Sequence, residues 1–381
     1  MSISSHASLL LLLIGSPRVV CETSLCDRNG TKVCRMDVCT MWITNIPSHC
    51  QLDWLRFPDV AEDDWREAFL QFFRVLFFAK LLMNPSDKKI LLCSQPDSFD
   101  SLNAIIESVL FAKFQCSSVT WIPASCAVLS LVKQMTGLVI DIGEYESRFV
   151  PVIEGRIVSS AVVHAQLGVF QLKQQLRVKL LDYLIESKQK VPENPGQLLS
   201  NAVLSDLCLQ FLQHSGQSPA EPAALATFSI AIPREASTKY VLPWVFQFPL
   251  SLVHEAVEQV FFVREEDISL NLCLSLMECL NRCSRDARAV LHNKLVFVGG
   301  GSELFAIPSR LLQQFDDLTQ SPEFQSLSGL THKLRRNSAL NVRPFIAAFV
   351  GACTAGSVES FMSGPASKKL PQWQEEQAPT V

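Results

Sequence analysis

What this sequence lacks excludes several kinds of protein. Its 13 cysteines include no CxxC pair, and Cys279 with Cys283, a CxxxC on a predicted helix, has no second ligand pair, which argues against a zinc site. It has no block of Lys or Arg, and the net charge is -4, so nothing marks a nucleic-acid or membrane-surface footprint. No apolar run approaches the roughly 18 residues of a membrane span. Gly-x-Ser-x-Gly and His-Glu-x-x-His are both absent. Charged residues make up only 18% of the 381 positions and hydrophobic ones 48%, enough for two core-bearing domains and too apolar for global disorder.

The N-terminal end admits two readings. Leu9–Ile14 is a short apolar run with no Lys or Arg before it, so a buried first strand is expected rather than a secretory leader. Under the secretory alternative, Asn29-Gly30-Thr31 would be a glycosylation acceptor and Cys21, Cys26, Cys34 and Cys39 would be oxidised. Otherwise residues 1 to about 57 read as irregular, with β-favouring pieces such as Met41–Ile46.

Regular organisation is expected from Asp59, which can cap a helix with Glu62 three positions on; the helix runs on until Asn84-Pro85 ends it. Phe69, Phe72, Phe73, Leu76 and Phe77 form a wide apolar face opposite Glu67, Gln71 and Arg74. Strands at 89–93 and 119–122 alternate with helices from Asp100 and Ala124, which argues for an α/β sheet with crossovers. Residues 138–142, 147–153 and 156–163 read as a three-strand meander turning at Glu154-Gly155, with a helix after it from Gly168 to Glu186. A buried-type strand, 294–298, runs into Gly299-Gly300-Gly301-Ser302. "AAFVGACTAG" suits close helix packing, and 363–381 reads as a weakly ordered tail.

Two of these strand ends could carry chemistry. Asp141-Ile142-Gly143 offers a carboxylate for hydrated Mg²⁺ and a glycine that lets backbone N–H groups approach phosphate. Gly299, Gly300, Gly301 and Ser302 could approach a base or ribose closely, because no Cβ intrudes. Glu144, Tyr145 and Glu146 then oppose turnover: two added carboxylates are expected to repel a polyphosphate. A tight turn without a ligand explains the first motif equally well. His164 reads as a hydrogen-bonded structural residue, and Cys126 lacks a basic neighbour in sequence to make it a reactive thiolate.

In this order the motifs resemble the actin superfamily. "LVIDIGEYESRFVPVIEGRIV" (138–158) is similar to the family's second phosphate loop and its Pro-x-x-Glu-Gly hairpin, "CLNRCSRDARAVLHNKLVFVGGGSELF" (279–305) to its adenosine site, and "AAFVGACTAGSV" (347–358) to its C-terminal helix. The resemblance implies an actin-like, ribonuclease-H-like α/β fold of two lobes. Residues 1–137 with 341–381 would form one and 138–340 the other, with a fourth subdomain at about 168–262. "LLMNPSDKKILL" (81–92), "IPASCAVLSL" (122–131) and "LPQW" (370–373) are similar to the divergent actin-related type of dynactin's pointed-end complex.

The family's first phosphate loop is missing. Gly15-Ser16-Pro17-Arg18 resembles the family's sequence just beyond that loop, so a shortened first hairpin is expected. Cys126 stands where the family orients water with glutamine, Tyr145 replaces a loop glycine, and Glu303 and Phe305 depart from the pattern after Gly300. The resemblance therefore implies a non-catalytic protein of the cytoplasm and cytoskeleton. Asp141, Gly143 and Gly299 to Ser302 would be a vestigial nucleotide site, with ATP or ADP not required and no metal. Its partners would be dynactin's actin-related filament and neighbouring pointed-end subunits, with dynein and cargo adaptors reached indirectly, no nucleic acid and no membrane insertion. An actin-related scaffold elsewhere, such as a chromatin remodeller, or a weak ATPase of the actin and sugar-kinase superfamily, is the alternative.

Overall fold

The computed structural model describes residues 9–13, 21–26, 32–37, 61–80, 82–86, 88–94, 100–187, 199–212, 225–232, 242–263, 271–304, 307–337, 340–356 and 367–377. In chain order the first elements are β1 (Leu9–Leu13), β2 (Cys21–Cys26), β3 (Lys32–Asp37), α1 (Glu62–Arg74), β4 (Lys89–Ser94), α2 (Asp100–Ala112), β5 (Ser118–Pro123) and α3 (Ala124–Leu131). The middle of the chain forms β6 (Gly137–Ile142), β7 (Ser147–Ile153), β8 (Arg156–Ile157), β9 (Val163–Ala165), α4 (Val169–Glu186), α5 (Asn201–Leu212), β10 (Leu225–Ile232), β11 (Leu242–Pro249) and α6 (Ser251–Phe261). The rest is α7 (Leu272–Arg282), α8 (Arg285–Leu291), β12 (Leu295–Val298), α9 (Ile307–Leu318), α10 (Ala347–Gly356), β13 (Ser367–Lys369) and α11 (Leu370–Gln377). One compact unit comprises residues 1–137, 152–159 and 338–381, the other 138–151 and 160–337.

The first unit is built on a six-stranded sheet in the order β13-β5-β4-β1-β2-β3. β1 runs parallel to β4, Leu11 opposite Leu91, so the Leu9–Leu13 run is a strand. The antiparallel β1-β2-β3 meander corrects the expectation of an irregular N-terminal segment. Cys21, Cys26 and Cys34 stand opposite Asp37, Lys32 and Ser24, so no cysteine faces another across these ladders. Residues 15–18, Asn29–Thr31, Cys39 and Met41–Ile46 lie outside the described residues.

A strand's side chains alternate faces, and β4 is apolar on both. Ile90 and Leu92 join a core with Trp65, Phe69, Phe72, Phe73, Leu76 and Phe77, and with Ile106, Leu110 and Phe111 of α2. Leu91 and Cys93 join the opposite core with Ala127 of α3 and Phe349 and Ala352 of α10. The aromatic face that runs from α1 on through residues 75–78 is therefore core, apart from Phe78, which is half exposed. The N-cap of α1 is Ala61, with no side-chain cap, rather than the expected Asp59. Glu62, Asp63 and Asp64 in its first turn suit the positive helix end electrostatically instead. Beyond Arg74 the helix widens into a π-turn, Val75–Lys80. Residues 367–377 also depart from the expectation of a weakly ordered tail: β13 pairs with β5, and Trp373 packs on the core.

In the second unit β12 runs parallel to β6, β7 neighbours β6, and β9 pairs with β7. The expected strand 156–163 is broken: Arg156–Ile157 pairs with the end of β7, Ser159–Ala161 forms a 3-10 turn, and the chain resumes as β9. Helix α8 has no counterpart among the expected elements; Ser284 caps it, its Oγ accepting from Ala287 N–H at 3.2 Å. Among the described residues Cys93, Cys116, Cys126, Cys208, Cys273, Cys279 and Cys283 are free thiols, no group of three or more His, Cys, Asp or Glu is placed to hold a metal, and no helix is long and apolar enough to cross a membrane.

Candidate functional site

The two motifs singled out in the sequence meet in the second unit because β6 and β12 are parallel neighbours. Asp141 lies opposite Val298, so Ile142-Gly143 and Gly299-Gly300-Gly301 leave the sheet side by side at the strands' C-terminal ends. That is where open α/β sheets place ligands.

The glycine run is committed to packing at two of its three positions. Gly299 has φ +83, and a Cβ there would collide with the Asp141 carboxylate and the Ile142 carbonyl. A Cβ on Gly301 would strike the Ile142 side chain, whereas Gly300 faces open space. Ser302 closes the turn, its Oγ donating to Gly299 O at 2.9 Å and its N–H to the same oxygen at 3.2 Å. Close backbone approach therefore serves the end of β6, and only Gly300 is left to face a ligand.

Residues 143–146 are equally engaged. Gly143 N–H donates to Glu146 O at 3.0 Å, closing the turn. The carbonyls of Gly143 and Glu144 accept from Val169 and Phe170 N–H at 3.1 and 2.7 Å, and Tyr145 O accepts from the Gln171 side chain at 3.1 Å. A helix N-terminus is a ready anion site; here the loop's own oxygens occupy the first turn of α4. Gly168, the N-cap, is where the chains touch: an added Cβ would lie 2.5 Å from Glu144 O. The Tyr145 ring leans on Phe170, centroids 5.5 Å apart.

The carboxylates are balanced, which corrects the expectation that Glu144 and Glu146 form a repulsive negative patch. Glu144 pairs with Lys173, a buried ammonium on α4, at 2.6 Å. Arg148 on β7 stands between Asp141, at 3.6 Å, and Glu146, which it contacts directly. Glu146 also lies 3.6 Å from His164 Nδ1. Burial pushes the Asp141 carboxyl up, Arg148 pulls it back, and Glu146 adds a smaller upward push. Glu146 also meets a burial penalty, yet His164 and Arg148 together hold it below the usual carboxylate range. In the first unit, the Cys126 Sγ lies 3.5 Å from Gly155 O, and burial pushes its thiol up, so it is not a thiolate.

Sequence reasoning locates Asp141, Gly143 and Gly299 to Ser302 but misses Arg148 and Lys173. Arg148 carries a usable signal: it is a lone cation near the start of an otherwise apolar strand, two positions after Glu146. Lys173 carries no such signal, being one of several polar residues on α4.

Residues 62–211 match the actin family profile. Among curated proteins, 157 residues are 25% identical to Actin-related protein 10 of Dictyostelium discoideum, over 40% of this chain and 33% of that protein. A stretch of 249 residues is 26% identical to Actin-related protein 2 of Acanthamoeba castellanii, over 64% of this chain and 60% of that protein. The chain thus spans less than two thirds of either relative's length.

Proposed function

Because the chain is a divergent member of the actin superfamily, we propose that it is a non-catalytic actin-related subunit whose fold serves docking rather than nucleotide turnover. The observation that carries this reading is Arg148. The superfamily's chemistry needs a carboxylate free to hold hydrated magnesium beside a phosphate cradle. Here the Asp141 carboxylate has a guanidinium of the same chain 3.6 Å away. Tyr145 and the carbonyl-filled end of α4 do not fit a phosphate cradle, and Cys126, bound to Gly155 O, does not fit a water-orienting role. Asp141, Gly143 and Gly299 to Ser302 are on this reading remnants of a nucleotide site.

The assembly we favour is dynactin's pointed-end complex, in the cytoplasm and cytoskeleton. There the protein would cap the actin-related filament, contact neighbouring pointed-end subunits and support dynein-driven transport. Support comes from the residues of 81–92 and 370–373 that resemble that type, and from the match to Actin-related protein 10. Capping needs one face that matches a filament end and altered outer surfaces that stop further addition. Purification of the tagged full-length chain, with its partners identified, tests this. Dynactin filament and pointed-end subunits are expected in stoichiometric amount, and their absence rejects the assignment.

A second reading, a scaffold in another actin-related assembly, is favoured by the Actin-related protein 2 match, which covers more of the chain than the other. Recovery of remodeller subunits in the same purification would select it.

A further inference from the structure

The C-terminal segment is held by contacts that read its sequence. β13 pairs antiparallel with β5 over three residues, Ser367 opposite Thr120, Lys368 opposite Val119 and Lys369 opposite Ser118. Leu370 N–H then donates to Ser117 O at 3.1 Å. Lys368 Nζ lies 3.2 Å from Glu107 Oε2 on α2 and 2.6 Å from Glu376 Oε2 of the segment itself. Trp121 Nε1 donates to the other Glu107 oxygen at 2.8 Å and so fixes that carboxylate. Trp373 stacks on Phe111, with ring centroids 5.6 Å apart and planes at 28°.

A strand edge for backbone pairing, a fixed carboxylate for one lysine and a ring face for one tryptophan are the parts of a β-augmentation site. The seal is nonetheless short and incomplete. The hydroxyls of Ser118, Thr120 and Ser367, which share one face of the β5–β13 pair, are buried without a hydrogen-bond partner among the described residues.

We propose that the edge of β5, together with α2, is a strand-accepting site whose ligand is the segment Ser367–Gln377, held in cis in the intact chain and accepted from a second copy when the cis segment is displaced. The segment masks an edge that would otherwise pair chain with chain. Recognition rests on Glu107, Phe111 and the β5 backbone, all within the first unit, so the proposal is independent of the nucleotide and partner readings.

A fluorescent peptide of residues 367–377 tests it against the full-length chain and the full-length double variant Lys368→Glu/Trp373→Ala. The peptide is expected to bind the double variant at least ten-fold more tightly than the wild-type chain, whose edge is filled. A second variant, Glu107→Lys, keeps the test open if the first does not fold. It should prefer a peptide carrying Lys368→Glu over the native peptide by a similar factor. Equal binding to wild-type and variant chains, binding to neither variant, or indifference to the charge reversal overturns the proposal.

Discussion

Arg148 and Glu146 show what a single ion pair at a strand's start can decide. Glu146→Gln keeps the shape but leaves Arg148 and His164 facing a neutral amide, and should cost about 1–3 kcal/mol at neutral pH. Its folded-state carboxyl is held low, so the stability it contributes is present above the unfolded value of about 4.3 and is lost as pH falls through the folded one. Denaturant melts at pH 7, 5 and 3 should therefore show the gap between variant and wild type closing on acidification. Thr120→Val makes the opposite case. Its hydroxyl is fully buried in β5 and has no partner among the described residues, and its removal should raise stability by about 1 kcal/mol. Asp141 and the glycines are legible in the sequence because strand-end carboxylates and glycine runs are rare local patterns. The cations that neutralise the loop are not, since Lys173 joins Glu144 across 29 positions and only the folded chain brings them together.

At the scale of elements, the small-residue helix α10 is readable as a close packer, and it is one. A Cβ on Gly351 would overlap the Ala127 carbonyl of α3, so Gly351→Ala should cost roughly 2 kcal/mol or more, outweighing the better helix propensity of alanine. Gly300→Ala, where no described residue lies within 4 Å, should shift stability by less than about 0.5 kcal/mol, thermal melts of the two variants giving the comparison. The aromatic face of α1 is likewise legible from its spacing, and Phe73→Ala should cost about 3–5 kcal/mol, since Phe73 is fully buried. Strands β2, β3 and β13 are harder to see. Their stability comes from long-range partners, as when Ser367 meets Thr120, and such pairings leave no periodic trace in a three- to six-residue segment. The break after Ile157 is hidden for a related reason. A β-favouring run reads as one strand, but β7 offers Val152 and Ile153 to its start and Ser147 to Phe149 to its continuation, with a 3-10 turn between.

For the whole molecule, the question is whether folding depends on a ligand. A protein that binds nucleotide only when folded gains stability by mass action, about 4 kcal/mol at a thousand times the dissociation constant. Here the counter-charge that a metal ion would supply to Asp141 is covalently part of the chain, as Arg148, and Tyr145 and the α4 end hold the loop closed without a guest. Millimolar Mg-ATP should therefore leave the melting temperature unchanged, and a chelator should not lower it. Arg148→Gln separates the possible causes. If Arg148 stands in for the ligand, that variant should melt at a lower temperature than wild type and still gain nothing from Mg-ATP, because Tyr145 and the occupied helix end remain. A wild-type chain that is stabilised by Mg-ATP would mean that Arg148 swings away to admit magnesium. The proposed docking role would then have to coexist with a working nucleotide site, while the partners recovered by purification would stand on their own.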